Sequence, residues 1–173
     1  VKASFKTDGV LAEKDLLKAP GYTIEEAFRT NKPMVVIECI QDIPCNPCET
    51  VCPRNAIHVG DLITNLPTVD TGKCNGCGAC IAACPGLAIF MIHMGFSETH
   101  ATVSFPYEFL PVPVVGDAVQ AVNRSGEIIC TGKVEKVNSA KHHDKTHVIT
   151  ISIPKQYARD ARGIRLPERA ESL

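Results

Sequence analysis

The chain has no phosphate loop and no G-x-G-x-x-G fingerprint, and the glycines of GDAVQAVNRSGE are spaced wrongly for either. A nicotinamide or flavin is therefore not expected to reside here. The remaining residues call for no Ser-His-acid or Cys-His nucleophile arrangement. Long hydrophobic runs are missing too, since none approaches the ~20 residues that cross a bilayer. The stretch VKASFKTDGVLAEKDLL has no charged leader followed by an apolar core and a small-residue cleavage site. Nor is there a basic block: 18 Lys and Arg against 19 Asp and Glu give a formal charge of −1, which leaves no electrostatic case for nucleic acid. The expectation is a cytoplasmic protein with no membrane span, and with its substrate chemistry elsewhere. At 173 residues and 45% hydrophobic content, it can build one domain or two small ones.

What the chain has is cysteine. Seven of its nine fall into two copies of one spacing, CNPCETVCP from Cys45 to Pro53 and CNGCGACIAACP from Cys74 to Pro85. The second copy is a complete C-x2-C-x2-C-x3-C-P run, which lets successive sulfurs reach corners of one iron–sulfur cube. Cys45, Cys48, Cys52, Pro53, Ala56 and Ile57 recur as Cys77, Cys80, Cys84, Pro85, Ala88 and Ile89 at a constant offset of 32, so the region reads as two copies of one unit. Gly76, Gly78 and Ala79 let backbone amides approach the buried anionic core, and Ile81, Ala83, Leu87 and Ile89 are candidates for its apolar surround. Free thiols at this density also argue for a reducing compartment.

In two-cluster ferredoxins, which these runs resemble, the fourth cysteine of each run serves the other cluster. The expected sets are thus Cys74, Cys77, Cys80 and Cys52 for one cluster, and Cys45, Cys48 and Cys84 for the other. The fourth ligand of the latter is Cys39, Asp42 or nothing. Asp42 stands where the repeat predicts a ligand, at the position Cys74 holds in the second copy. Cys39 is the softer donor and completes eight thiols, and it is favoured on that count despite the five-residue gap to Cys45. A carboxylate-ligated or three-iron cluster is the alternative to two [4Fe-4S] centres. A structural zinc site is the bland rival, disfavoured by the two-residue steps and the trailing proline. Cys130 reads as a packed small hydrophobe. His142, His143 and His147 read as a solvated loop beside Lys141, Asp144 and Lys145. Arg159, Arg162 and Arg165 read as a basic surface that faces water or a partner.

Around the cysteines, helices are expected over Leu11–Lys18 and Thr23–Thr30, the latter with Thr23 and Glu26 forming a capping box. Met34–Ile40 is a β-branched run suited to a buried strand. AIHVGDLITNLPTVD is extended with a turn near Gly60 and Asp61, and AIFMIHM is a strand. Beyond Ser104 come three strand-like runs, Ala118–Asn123, Glu127–Val137 and His147–Ile153, expected to form a small barrel-like unit. Pro106, Pro111 and Pro113 are expected to be the connector, and a short basic helix followed by a frayed tail closes the chain. The division is an extension over 1–33, a cluster domain over 34–104 and a β-rich domain over 105–173.

Residues 34–94 resemble a bacterial two-cluster ferredoxin, with CNGCGACIAACP the specific part and the first run the departure. The resemblance implies an α+β ferredoxin-like fold with pseudo-twofold βαβ repeats, two clusters close enough for electron hopping, and no substrate chemistry. More narrowly, VVIECIQDIPCNPCETVCP with a strand-rich extension is similar to the iron–sulfur subunits of multisubunit FAD-dependent amino-acid dehydrogenases of the proline, hydroxyproline and opine type. That likeness implies FAD in a partner subunit of a hetero-oligomeric complex. A free-standing ferredoxin carrier is the alternative.

Overall fold

The computed structural model describes residues 9–167. Its core is a seven-stranded, wholly antiparallel sheet. In chain order the strands are β1 (Met34–Ile37), β4 (Ile89–His93), β5 (His100–Tyr107), β6 (Ala118–Val122), β7 (Ile128–Asn138), β8 (His147–Pro154) and β9 (Gly163–Arg165). Their spatial order is β1-β4-β5-β8-β7-β6-β9. A two-stranded ribbon pairs β2 (Ile57–His58) with β3 (Thr68–Val69). Among the described residues there are four short α-helices, α1 (Glu13–Leu16), α2 (Ile24–Arg29), α3 (Pro47–Thr50) and α4 (Ala79–Ala83).

All four residues of β1 are buried because both faces of the strand are covered. Met34 and Val36 join a large core with Phe90, Ile92, Phe105 and Ile149, whereas Val35 and Ile37 turn to a second core built around cysteines. The period of two in a strand sends alternate side chains to opposite faces, so an unbroken apolar run is what a doubly covered strand needs. The outer edge of β1 is covered by the N-terminal arm: Ile37 N–H donates to Gly21 O at 2.9 Å, and the Thr23 hydroxyl donates to Val35 O. Gly21 is required there, since a Cβ would lie 2.7 Å from Pro67 O and 2.9 Å from Ile37 Cβ. The Thr23 hydroxyl is therefore spent on the strand, and the expected capping box does not form.

The offset of 32 is carried into three dimensions. Ile37 pairs with Ile89 between β1 and β4, and the equivalent residues Val69 and Ile57 pair between β3 and β2. Glu38 N–H donates to Ala88 O and Asp70 N–H to Ala56 O, again at equivalent positions. Asn55 and Leu87 both adopt positive φ, at 46° and 51°. The cysteine region is thus a pseudo-twofold pair of β-α-β units, β1-α3-β2 and β3-α4-β4.

The strand-rich half departs from expectation in three ways. It is not a barrel: among the described residues β9 pairs only with β6 and β1 only with β4, so the sheet stays open. Pro106 lies inside β5, opposite Val148, and is not part of a connector. The β4 ladder reaches β5 only at Thr102–Ser104, so Pro106 sits where one flank is free and a residue without an N–H is tolerated. Pro111 and Pro113 do lie in the β5–β6 link. After β8 the chain makes one 3-10 turn, Lys155–Tyr157, and then β9, where a basic helix was expected. Ile164 pairs with Ala121 and packs on the main core, which favours the extended form. The frayed tail falls at 168–173, outside the described residues.

Candidate functional site

The cysteine-lined core packs Cys48 and Cys80 among Ile37, Ile57, Ile81 and Ile89, with Cys39, Cys52, Cys74 and Cys84 at its margin. It opens into two chambers. The first, a cavity of about 330 Å³, is lined by Cys39, Cys45, Cys48 and Cys84 together with Ile37 and Ile43. The second, about 20 Å³, is lined by Cys52, Cys74, Cys77 and Cys80 with Val35 and Met91. Each chamber therefore takes one cysteine from the other run. Asp42 is exposed and is not in the lining of the first chamber.

Local geometry produces the crossing. Each run ends in a cysteine whose sulfur accepts an amide hydrogen bond from four residues on, Ala56 N–H to Cys52 Sγ at 3.3 Å and Ala88 N–H to Cys84 Sγ at 3.5 Å. The positive-φ residues Asn55 and Leu87 fold the chain back to make those contacts. In the second loop Asp70 accepts from Gly72 N–H and Lys73 N–H, fixing the approach to Cys74. Gly76 has φ +68°, and a Cβ on it would lie 2.6 Å from Pro33 Cβ, so only glycine fits. The first loop is tethered differently, through Cys45 N–H to Ile63 O at 3.1 Å.

The electrostatics suit a cationic guest. Burial pushes the Cys48 thiol up to about 11, and the neighbouring Cys84, Cys45 and Cys39 sulfurs add to it. Burial raises Cys80 further, helped by Cys74, Cys77 and Cys52. Cys39 is raised first by burial and then by Cys84, Cys45 and Asp42, against a Gln41 amide that lowers it. Burial thus disfavours the charged form at Cys39, Cys48 and Cys80, and bound iron would supply the positive charge that offsets it. Among the described residues no three His, Cys, Asp or Glu side chains converge as ligands of a single metal ion do. The donor set is one of soft thiols walling two chambers, and that chemistry fits iron–sulfur clusters.

A family model described as the LdpA Fe-S cluster-binding domain matches residues 39–94. That stretch is an iron–sulfur ferredoxin-like domain. Among curated proteins, the chain is 47% identical over 47 residues to one subunit of an ion-translocating oxidoreductase complex of Methanosarcina acetivorans, covering 27% of this chain and 17% of that one. It is 43% identical over 56 residues to the polyferredoxin-like subunit of an aliphatic sulfonate oxidoreductase of Pyrococcus furiosus, covering 32% and 30%. A ferredoxin-type protein NapF of Haemophilus influenzae is 43% identical over 51 residues, covering 28% and 29%. The chain thus spans less than a third of the length of these relatives. No solved structure matches.

Other residues of interest lie elsewhere. Cys130 packs half-buried against the main core, away from both chambers. His143 is buried rather than solvated, edge-on to His142, with its Nδ1 unpartnered. Burial lowers its pKa. His147 Nδ1 lies 2.6 Å from Ser139 Oγ. Arg159 bridges Glu13 and Glu25 and lies over Phe28, which ties the last segment to the N-terminal arm. Arg162 is not a surface residue: its side chain is 4% exposed and paired with Glu38. Sequence reasoning missed this pair, although an acidic residue inside the apolar run VVIECI was a signal, since carboxylates are almost never buried unpaired. Among the described residues no helix is long and apolar enough to cross a membrane.

Proposed function

We propose that this chain is an iron–sulfur electron-transfer subunit holding two [4Fe-4S] clusters, and that its partner is a flavoprotein dehydrogenase acting on an amine or amino acid. The observation that carries the reading is the sorting of eight thiols into two crossed groups of four. Cys39, Cys45, Cys48 and Cys84 would hold one cluster, and Cys52, Cys74, Cys77 and Cys80 the other. Cys39 serves as the fourth ligand of the first because it lines the chamber wall and Asp42 does not. When bound, such clusters take up and release single electrons.

The residues around the sulfurs do the rest. Ile37, Ile57, Ile81 and Ile89 exclude water from the chambers, which disfavours extra negative charge. The Ala56 and Ala88 amides donate to the Cys52 and Cys84 sulfurs and fix the position of the last sulfur of each run. Relatives described as subunits of oxidoreductase complexes support a multisubunit setting. The flavoprotein partner rests on the likeness of the first cysteine run to amino-acid dehydrogenase subunits.

Iron and acid-labile sulfide on anaerobically purified protein test the cofactor: about eight of each per chain are expected. A count near four, or zinc without visible absorbance, would refute it. For the fourth ligand, Cys39→Ser should lose or convert one cluster while Asp42→Ala keeps both, and the reverse pattern overturns the assignment. For the partner, affinity capture from native cells should yield a persistent large assembly with flavin absorbance. A flavin-free monomer on size exclusion would make the chain a free carrier.

A further inference from the structure

Glu38 follows β1 directly, lines the first chamber between Ile37 and Cys39, and also lines an adjoining cavity with Arg124 and Arg162. There it meets two guanidinium groups. Arg124 Nε donates to Glu38 Oε2 at 2.9 Å and its Nη2 to Oε1, while Arg162 Nε donates to Oε1 at 2.7 Å. Glu38 is 5% exposed, and Arg124 and Arg162 are 14% and 4% exposed at the side chain. The Arg162 guanidinium also lies over the Phe90 ring, 5.0 Å from its centroid. Both arginines come from the strand-rich half, Arg124 from the β6–β7 turn and Arg162 from the residue before β9.

Two cations face one anion, so the enclosed group carries a net positive charge. Stability does not account for this arrangement. A buried ion pair is weak evidence for stability, and a second guanidinium against the same carboxylate adds desolvation cost without a second counter-charge. Arg162 Nη2 is enclosed with no hydrogen-bond partner at all. Burial acts to raise the Glu38 carboxyl, but the hydrogen bonds and charges of the two arginines outweigh it and hold the group below its ordinary value. Burial lowers Arg162, yet from so high a starting value that the guanidinium keeps its charge.

The second copy of the repeat has no enclosed counterpart: Arg54, the cation in the lining of the second chamber, is exposed, so solvent screens its charge. Asp70 is the residue equivalent to Glu38, and its cation is Lys73 at 3.2 Å, with side chains 40% and 56% exposed. That pair is neutral overall and open to solvent, where charge is screened.

We infer that Arg124 and Arg162 are tuning residues: their uncompensated positive charge behind Cys39 favours the added electron in the first chamber, so that two chambers built from one repeat hold centres of different potential. The inference rests on the two-cluster reading above. It also gives the strand-rich half a task, since that half supplies both cations to the wall of a chamber it does not line.

The test is an anaerobic redox titration of the full chain followed by electron paramagnetic resonance, with Cys84→Ser identifying the first-chamber signal by its loss. Arg124→Gln should lower the midpoint of that centre, Glu38→Gln should raise it, and the second centre should hold still in both. Arg124→Lys keeps the charge and should leave the midpoint near wild type. Opposite shifts cannot come from loosened packing, which both glutamine variants share. Shifts of one sign in the two variants, equal shifts in both centres, or no shift with both centres present would overturn the inference. A wild-type chain with fewer than two centres would instead refute the reading beneath it. Arg162 is left intact because its enclosure makes replacement a risk to the fold.

Discussion

Replacing Gly76 by alanine should cripple the second cysteine loop, and the cost can be worked from two separate sources. The residue sits at φ +68°, where an L side chain loses about 1–2 kcal/mol. The new methyl would also lie 2.6 Å from Pro33 Cβ and Cγ and 2.7 Å from Pro33 O. Those atoms belong to a rigid ring and to backbone, so they cannot swing aside, and forced overpacking typically costs about 1–3 kcal/mol. Together the terms give about 2–5 kcal/mol, or a fall in Tm of roughly 4–20 °C for a chain of this size. Gly86 is the matched control. It directly follows the second run, has no atom within 4 Å of a built Cβ, and is the repeat-equivalent of Arg54. Gly86→Ala should be neutral or stabilise by about 0.4–1 kcal/mol through the unfolded chain. The assay is thermal unfolding of cluster-loaded protein followed by visible absorbance and circular dichroism, with iron content measured beforehand. Equal Tm values and equal iron in the two variants would refute the steric reasoning, because it assigns the two glycines opposite roles.

The proposed crossed ligation gives Cys84→Ser a specific expected signature: the cluster of the first chamber should be lost although the residue belongs to the second run, and Cys52→Ser should do the converse. Spectra in which each substitution harms its own run's cluster would reverse the pairing. Stripping iron with a chelator under reducing conditions should lower amide protection over 39–94, where the core is walled by thiols, and leave β5, β7 and β8 protected, as hydrogen exchange would report. Phe105 is 1% exposed in the main core, so Phe105→Ala should cost about 3–5 kcal/mol in denaturant unfolding while the visible spectrum of the folded protein stays unchanged.

The sequence made the cysteine region legible because its signals are local and repeated. The spacing around Cys74–Cys84, the equivalence of Ala56 with Ala88 and the apolar run at Met34–Ile40, of which Met34–Ile37 forms β1, each depend on neighbours a few residues away, and each has its counterpart in the chambers and strands observed. What stayed hidden depends on distant partners. β5 reads poorly because Pro106 suggests a break, and only the position of β4 beside it makes that proline harmless. Closure of a sheet is likewise not a local property, and the expected barrel is an open extension of the cluster domain's own strands. Arg162 looks like one of three evenly placed basic surface residues until Glu38, 124 positions away, draws it inside. The same holds for Thr23, whose hydroxyl could cap α2 but finds Val35 O across the fold.

Strand β5 runs from His100 to Tyr107, bonded to β4 on one side and to β8 on the other. The thiol chambers are consequently bolted to the rest of the molecule. Pivoting them would mean tearing apart the register from Met91↔Ser104 to His93↔Thr102. Whatever settles on the far strands meets the sulfur-lined walls at a set range and angle.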